Sequence, residues 1–133
     1  MYRIIRSADR AVLCLAVVCA AAASAVACDD TGGAPFRGVD GGDPARGVRA
    51  LGTYGCGACH VIPGADGANG RVGPPLTGFG RRTYVAGLLP NTQENLVRWI
   101  EQPQAVSPGN AMPNLGVTDR DARDIAAYLY TLH

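Results

Sequence analysis

The segment Cys56-Gly57-Ala58-Cys59-His60 gathers two thiols and an imidazole into consecutive residues. Three kinds of chemistry use thiols at this spacing. A Cys-x-x-Cys pair can exchange disulfides, but that use belongs in a strand–helix–strand setting, and no alternating strand pattern of useful length is present. Two thiolates can form half of a zinc site, but a closed site needs further Cys or His ligands. After His60 the chain offers only His133, its last residue. The third chemistry is attachment of a c-type haem. Two thiols must add to vinyl groups on adjacent sides of one porphyrin, and the next residue must bring an imidazole beneath the iron. One turn of chain with Cys at i and i+3 and His at i+4 reaches all three points. Gly57 and Ala58 are too small to obstruct the ring edge. These residues predict a single covalently bound haem c, attached through Cys56 and Cys59 and ligated by His60.

The chain around this motif divides into three stretches. Residues 1–27 read as a signal peptide: Arg3, Arg6 and Arg10 form a basic start, Ala11 to Ala27 is uncharged and apolar, and Ala25-Val26-Ala27 has the small-x-small cleavage pattern. The apolar run is shorter than the roughly 20 residues that span a bilayer well; an uncleaved anchor helix is the alternative. Of the five Cys, Cys14 and Cys19 leave with such a peptide, and Cys28 is left without a use. Ala25-Val26-Ala27-Cys28 resembles a bacterial lipoprotein signal, in which the Cys becomes the lipidated first residue. Leu is more usual three positions before that Cys, and ordinary cleavage beside an unmodified Cys28 is the competing reading. Either way the expected location is outside the cytoplasm, on the periplasmic side of the cytoplasmic membrane. Membrane association would run through a Cys28 lipid or the N-terminal anchor. Residues 28–42 are Gly- and Asp-rich, with almost nothing apolar to bury, and read as a flexible linker.

Residues 43–133 carry the elements that must position the motif. Asp43-Pro44 is a helix start, a good N-cap followed by a residue suited to the first helical position. The helix is predicted over Ala45 to Tyr54, with Val48 and Leu51 on one face and with Gly47 and Gly52 allowing another helix to come close. Val61 to Arg82 is dominated by Gly, Pro and Asn and reads as loop. Thr92 caps a second helix over Gln93 to Glu101, striped by Leu96, Val97 and Ile100 and stopped by Pro103. Gln104 to Gly116 reads as another loop. Thr118 caps the last helix, with Asp119 and Asp121 in its first turn and Ile125, Tyr128, Leu129 and Leu132 at i, i+3, i+4 and i+7. The formal net charge is +1, with Arg and acidic residues interspersed, which gives no footprint for nucleic acid.

Taken in order, these segments resemble the class I cytochrome c family. Cys56-Gly57-Ala58-Cys59-His60 is followed by Gly73-Pro74-Pro75-Leu76, which is similar to the family's Gly-Pro-x-Leu segment. Then come Asn95-Leu96-Val97-Arg98-Trp99-Ile100, the Ala111-Met112-Pro113 loop and Asp124-Ile125-Ala126-Ala127-Tyr128-Leu129. The likeness is to bacterial, membrane-linked, single-haem cytochromes, including those attached to terminal oxidases and dehydrogenases. It implies an all-α cytochrome c fold, with three or four short helices and long loops around one haem. The first and last helices are expected to cross, with Gly47 and Leu51 near Tyr128 and Leu129. The resemblance also implies Met112 as the second axial ligand; Met112 is the sole methionine after Met1 and lies in a Pro-flanked loop. By the same resemblance the Pro74 carbonyl accepts from the His60 ring, and Arg81 or Arg82 either faces a haem propionate or is a solvated surface arginine. Tyr84 and Trp99 either donate to the propionates or fill the core, the second being favoured for Trp99. The implied function is single-electron transfer between redox partner proteins of an electron-transport chain, by a carrier and not an enzyme. The alternatives are a haem-bearing subunit of a larger oxidase or dehydrogenase, and a haem enzyme whose sixth ligand is labile.

Overall fold

A computed structural model describes residues 38–133. The predicted signal peptide, Cys28 and most of the predicted linker lie outside these residues. Among the described residues four helices carry the fold: α1 (Pro44–Thr53), α2 (Gln93–Glu101), α3 (Pro103–Val106) and α4 (Asp119–Thr131). Tight 3-10 turns at Cys56–Ala58 and Phe79–Arg81 and a small hairpin, β1 (Tyr84–Val85) with β2 (Leu89–Pro90), fill the connections. None of the helices among the described residues is long and apolar enough to cross a membrane.

Each long helix starts on a side-chain cap. Asp43 accepts from the Arg46 backbone N–H at 3.0 Å, Thr92 from Asn95 at 3.3 Å and Thr118 from Asp121 at 3.2 Å, each satisfying a donor that the first turn leaves unpaired. At the other end of α1, the Tyr54 N–H returns to the Ala50 carbonyl. Gly55 then takes a left-handed φ of 68°, a conformation that costs a residue with a Cβ, and this turns the chain directly into Cys56.

The core forms where α1 crosses α4. A Cβ added at Gly47 would lie 2.6 Å from the Asp124 carbonyl carbon and 2.9 Å from the Tyr128 Cβ, so the two backbones meet where α1 has no side chain. The crossing is also tied by charge. Asp124, 1% exposed, accepts from the Asp43 N–H at 2.7 Å and from Arg46 Nε and a second guanidinium nitrogen at 2.6 and 2.8 Å. The Arg46 guanidinium holds this carboxyl below the usual carboxylate range. Leu51, Leu96, Val97, Ile100, Ile125 and Leu129 complete the buried apolar centre.

Several sequence expectations need correction. Pro103 does not only stop α2; it opens α3, a one-turn helix in the stretch read as loop, because proline at the first position of a helix sacrifices no hydrogen bond. The hairpin was not foreseen, since two residues per strand are too few to show alternation. Burial on α4 extends well beyond the predicted stripe: Ala122, Ala126, Ala127 and Tyr130 are buried too, while Tyr128 and Leu132 are only half-buried. A helix contacted on more than one side needs a wider apolar surface than a single stripe. Packing also reaches into the segment read as linker, where Val39 is buried and the Gly42 N–H donates to its carbonyl.

Candidate functional site: a thiol–imidazole turn and a methionine loop

The Cys56–His60 segment forms one tight turn at the end of α1. The Cys59 and His60 N–H groups both donate to the Cys56 carbonyl, at 3.2 and 3.1 Å. Both thiols are free. Burial pushes the Cys56 thiol up, the opposite of the depressed value that activates an attacking cysteine in disulfide exchange. Among the described residues no three His, Cys, Asp or Glu side chains converge, so the turn is not extended into a closed zinc site there.

The loop that follows wraps back over this turn and is held to it almost entirely by backbone. The Gly70 N–H donates to the Gly57 carbonyl at 3.0 Å, Gly73 to Cys59 at 2.8 Å and Leu76 to Val61 at 2.8 Å. Gly73 lies against the imidazole itself, since an added Cβ would stand 2.6 Å from Nδ1 and 2.8 Å from Nε2. The wrap brings the Pro74 carbonyl to 2.7 Å from His60 Nδ1. A carbonyl can only accept, so Nδ1 carries a proton, and in the neutral ring Nε2 then presents its lone pair. That is the tautomer a metal-binding imidazole needs, and such a bond fixes the ring's orientation and raises its basicity. The donor set therefore fits a c-type haem: two free thiols and an imidazole whose Nδ1 is bonded to a carbonyl, in one turn.

Met112 is half-buried in the loop between α3 and α4. Its backbone is gripped from both sides: its N–H donates to Asn110 Oδ1 at 2.7 Å, and its carbonyl accepts from Gln104 Nε2, also at 2.7 Å. Neither amide stood out in the sequence. The only local signal is their position on either side of the Pro108-Gly109 turn.

The remaining predicted residues are placed less centrally. Arg81 is exposed. Its neighbour Arg82 is half-buried, donates to the Pro75 carbonyl and lies 5.2 Å from the Phe79 ring centre, bracing the chain just after Pro74. Tyr84 is 55% exposed, so it does not fill the core, whereas Trp99 packs half-buried against it. A further brace was missed. Tyr130 donates to Asn91 Oδ1 at 2.9 Å, and Asn91 Nδ2 donates to the Arg82 carbonyl at 2.9 Å, tying the Phe79–Arg82 turn to α4. His133 lies beside Gly80, whose N–H donates to the Leu132 carbonyl at 2.8 Å.

Comparison with known proteins agrees with this geometry. The family model described as Cytochrome c matches residues 44–133. Cytochrome c oxidase subunit 2 of Alkalihalophilus pseudofirmus is 40% identical over 78 residues, covering 58% of this chain and 22% of that protein. The subunit 2 of Bacillus sp. strain PS3 is 34% identical over 95 residues, covering 68% and 27%. The chain thus spans only about a quarter of these relatives' length. Among solved structures, cytochrome c2 from Rhodobacter sphaeroides superposes with a TM-score of 0.52 at 27% identity, over 68% of this chain and 96% of that one.

Proposed function

The chain belongs to the cytochrome c family, and from that premise we propose that it carries a single haem, bound covalently through Cys56 and Cys59, with His60 and Met112 as axial ligands. Haem-based electron transfer is what the family does; the ligand set, the partners and the location are our reading. Bound haem supplies a one-electron ferric/ferrous couple. The protein's part is to attach, orient and shield it.

The observation that carries the reading is the His60–Pro74 bond, which frees Nε2 as a ligand in the same turn that presents both thiols. Cys56 and Cys59 tether. Pro74 and Gly73 fix the imidazole plane. Met112, from a loop 52 positions further along, supplies a thioether, which favours the ferrous state and raises the potential. With both axial positions filled, no site remains for a substrate, so the protein serves as a carrier. We place it outside the cytoplasm on the periplasmic side of the membrane, held there by a Cys28 lipid or by its N-terminal segment. The relatives named as oxidase subunits favour one variant of this reading: the chain delivers electrons within, or directly to, a larger oxidase.

Extraction and spectroscopy test it. Haem should stay with the mature protein through acidic acetone and denaturing electrophoresis, and should be lost when Cys56 and Cys59 are both replaced by Ala. The ferric protein should be low-spin and show the long-wavelength thioether–iron band, which Met112→Ala should remove. Freely extractable haem, or a ferric state already high-spin in the wild type, would refute the ligand assignment and bring forward the labile-ligand enzyme. Co-purification of an oxidase from membranes would distinguish a complex subunit from a free carrier.

A further inference from the structure

The loop bearing Met112 has no regular secondary structure between Val106 and Asp119, yet its geometry is set by two side-chain amides. Gln104, on α3, spends its whole amide on this loop. Nε2 donates to the Asn110 carbonyl at 2.8 Å and the Met112 carbonyl at 2.7 Å, and Oε1 accepts from the Gly109 N–H at 3.0 Å. The Gln104 backbone N–H adds a bond to Asn114 Oδ1 at 3.3 Å. Asn110 completes the clamp: Oδ1 accepts from the Met112 N–H at 2.7 Å, and Nδ2 donates to the Pro103 and Ser107 carbonyls at 2.9 and 2.6 Å. Both amides are half-buried, where hydrogen bonds compete less with water. α3 itself is anchored by Pro103, which is buried.

The clamp holds Met112 by main chain alone. It fixes both backbone polar atoms of that residue and leaves the thioether unbonded to it. Met112 is the residue of this loop whose N–H and carbonyl are both held by the two amides, and methionine is the one side chain in the loop with a soft donor atom. We propose that Gln104 and Asn110 are positioning residues that hold the Met112 thioether at the sixth position and so set how readily an outside ligand displaces it. The proposal rests on the His60/Met112 assignment. Chemically, a pre-ordered loop pays less entropy on ligation than a free one, so the thioether rebinds faster than a competitor enters.

Cyanide added to the full-length, haem-loaded ferric protein is the probe. Gln104→Ala removes three hydrogen bonds to the loop. Gln104→Glu keeps the size and the acceptor for Gly109 but loses both donations. At roughly a factor of ten in equilibrium for each net bond or two lost, Gln104→Ala should take up cyanide at least about tenfold faster than wild type. Gln104→Glu should also be faster, with the thioether–iron band weakened, the potential lowered and the far-ultraviolet helical signal unchanged. Asn110→Ala should behave like Gln104→Ala. If the wild type shows the band and the variants match it in band, potential and cyanide rate, the clamp is not a positioning device. If Gln104→Ala fails to accumulate, the near-isosteric Gln104→Glu decides by the same readouts. A wild type without the band instead overturns the ligand assignment, and the two failures are therefore told apart by the wild type alone.

Discussion

The same substitution at two glycines of α1 should move stability in opposite directions. At Gly47 an added Cβ meets the Asp124 carbonyl carbon at 2.6 Å and the Tyr128 Cβ at 2.9 Å. Carbon atoms in good contact lie about 3.5–4.0 Å apart, so Gly47→Ala obliges α1 and α4 to part by about 1 Å. A gap of that size forfeits roughly a quarter to a half of the dispersion well for every facing pair. Overpacking of this kind costs about 1–3 kcal/mol. Alanine returns up to about 1 kcal/mol through its better helix propensity. The steric effect dominates because both obstacles are backbone or the first side-chain carbon, which cannot swing aside. The expected net loss is about 1–2 kcal/mol, a fall in Tm of roughly 4–16 °C for a domain of this size. At Gly52 the added Cβ meets nothing within 4 Å, so Gly52→Ala keeps only the propensity gain, about 0.5 kcal/mol this near the helix end. Denaturant and thermal unfolding of the haem-loaded ferric proteins, followed by far-ultraviolet circular dichroism, would measure both. A Gly47→Ala protein as stable as wild type, or two shifts of the same sign, would refute the close-crossing argument.

Other expectations follow from the same geometry. The Asp124 carboxyl titrates below its ordinary value in the folded protein, so its contribution is complete above the unfolded pKa of about 4 and disappears as pH falls through the depressed folded one. The stability gap between wild type and Asp124→Asn should accordingly be full at neutral pH and close in strong acid; a gap independent of pH would be the contrary result. Met112→Ala should lower the reduction potential by at least about 59 mV, one decade for a one-electron couple, as measured by redox titration; an unchanged potential would count against thioether ligation. Cys28→Ser should release the cytochrome from membranes or stall its maturation, since each buried CH₂ of an acyl chain adds about 0.8 kcal/mol; mass spectrometry showing an unmodified mature amino terminus would exclude the lipid.

What was legible in the sequence followed from local chemistry. The three caps, Asp43, Thr92 and Thr118, act on donors within three residues and were read directly. The Gly47 contact was anticipated because a glycine within a helix allows close approach, but the same expectation fails at Gly52, where an added Cβ meets nothing within 4 Å. The Pro74 acceptor came by way of the family likeness, and its 2.7 Å approach to His60 depends on a wrap of backbone bonds that no residue type announces. Non-local polar pairs were illegible for a related reason. Gln104 and Asn110 look like ordinary loop polars until the loop closes on Met112, and Asn91 acquires its role only through Tyr130, 39 positions away. Of two adjacent arginines, which one braces and which one faces solvent is decided by the turn at Phe79–Arg81, not by the residues themselves.

The ionic seam between α1 and α4 joins positions 78 apart, nearly the full span of the family domain. Neither helix can gain that seam locally, and closing so long a loop is slow and entropically costly compared with forming a turn. As the chain is made from its amino terminus, α1 waits for a partner that comes last. Until then Cys56, Cys59 and His60 belong to an open chain, reachable from every side. A product cut short anywhere between His60 and Asp119 would keep the entire thiol–imidazole motif and lose the helix that frames it.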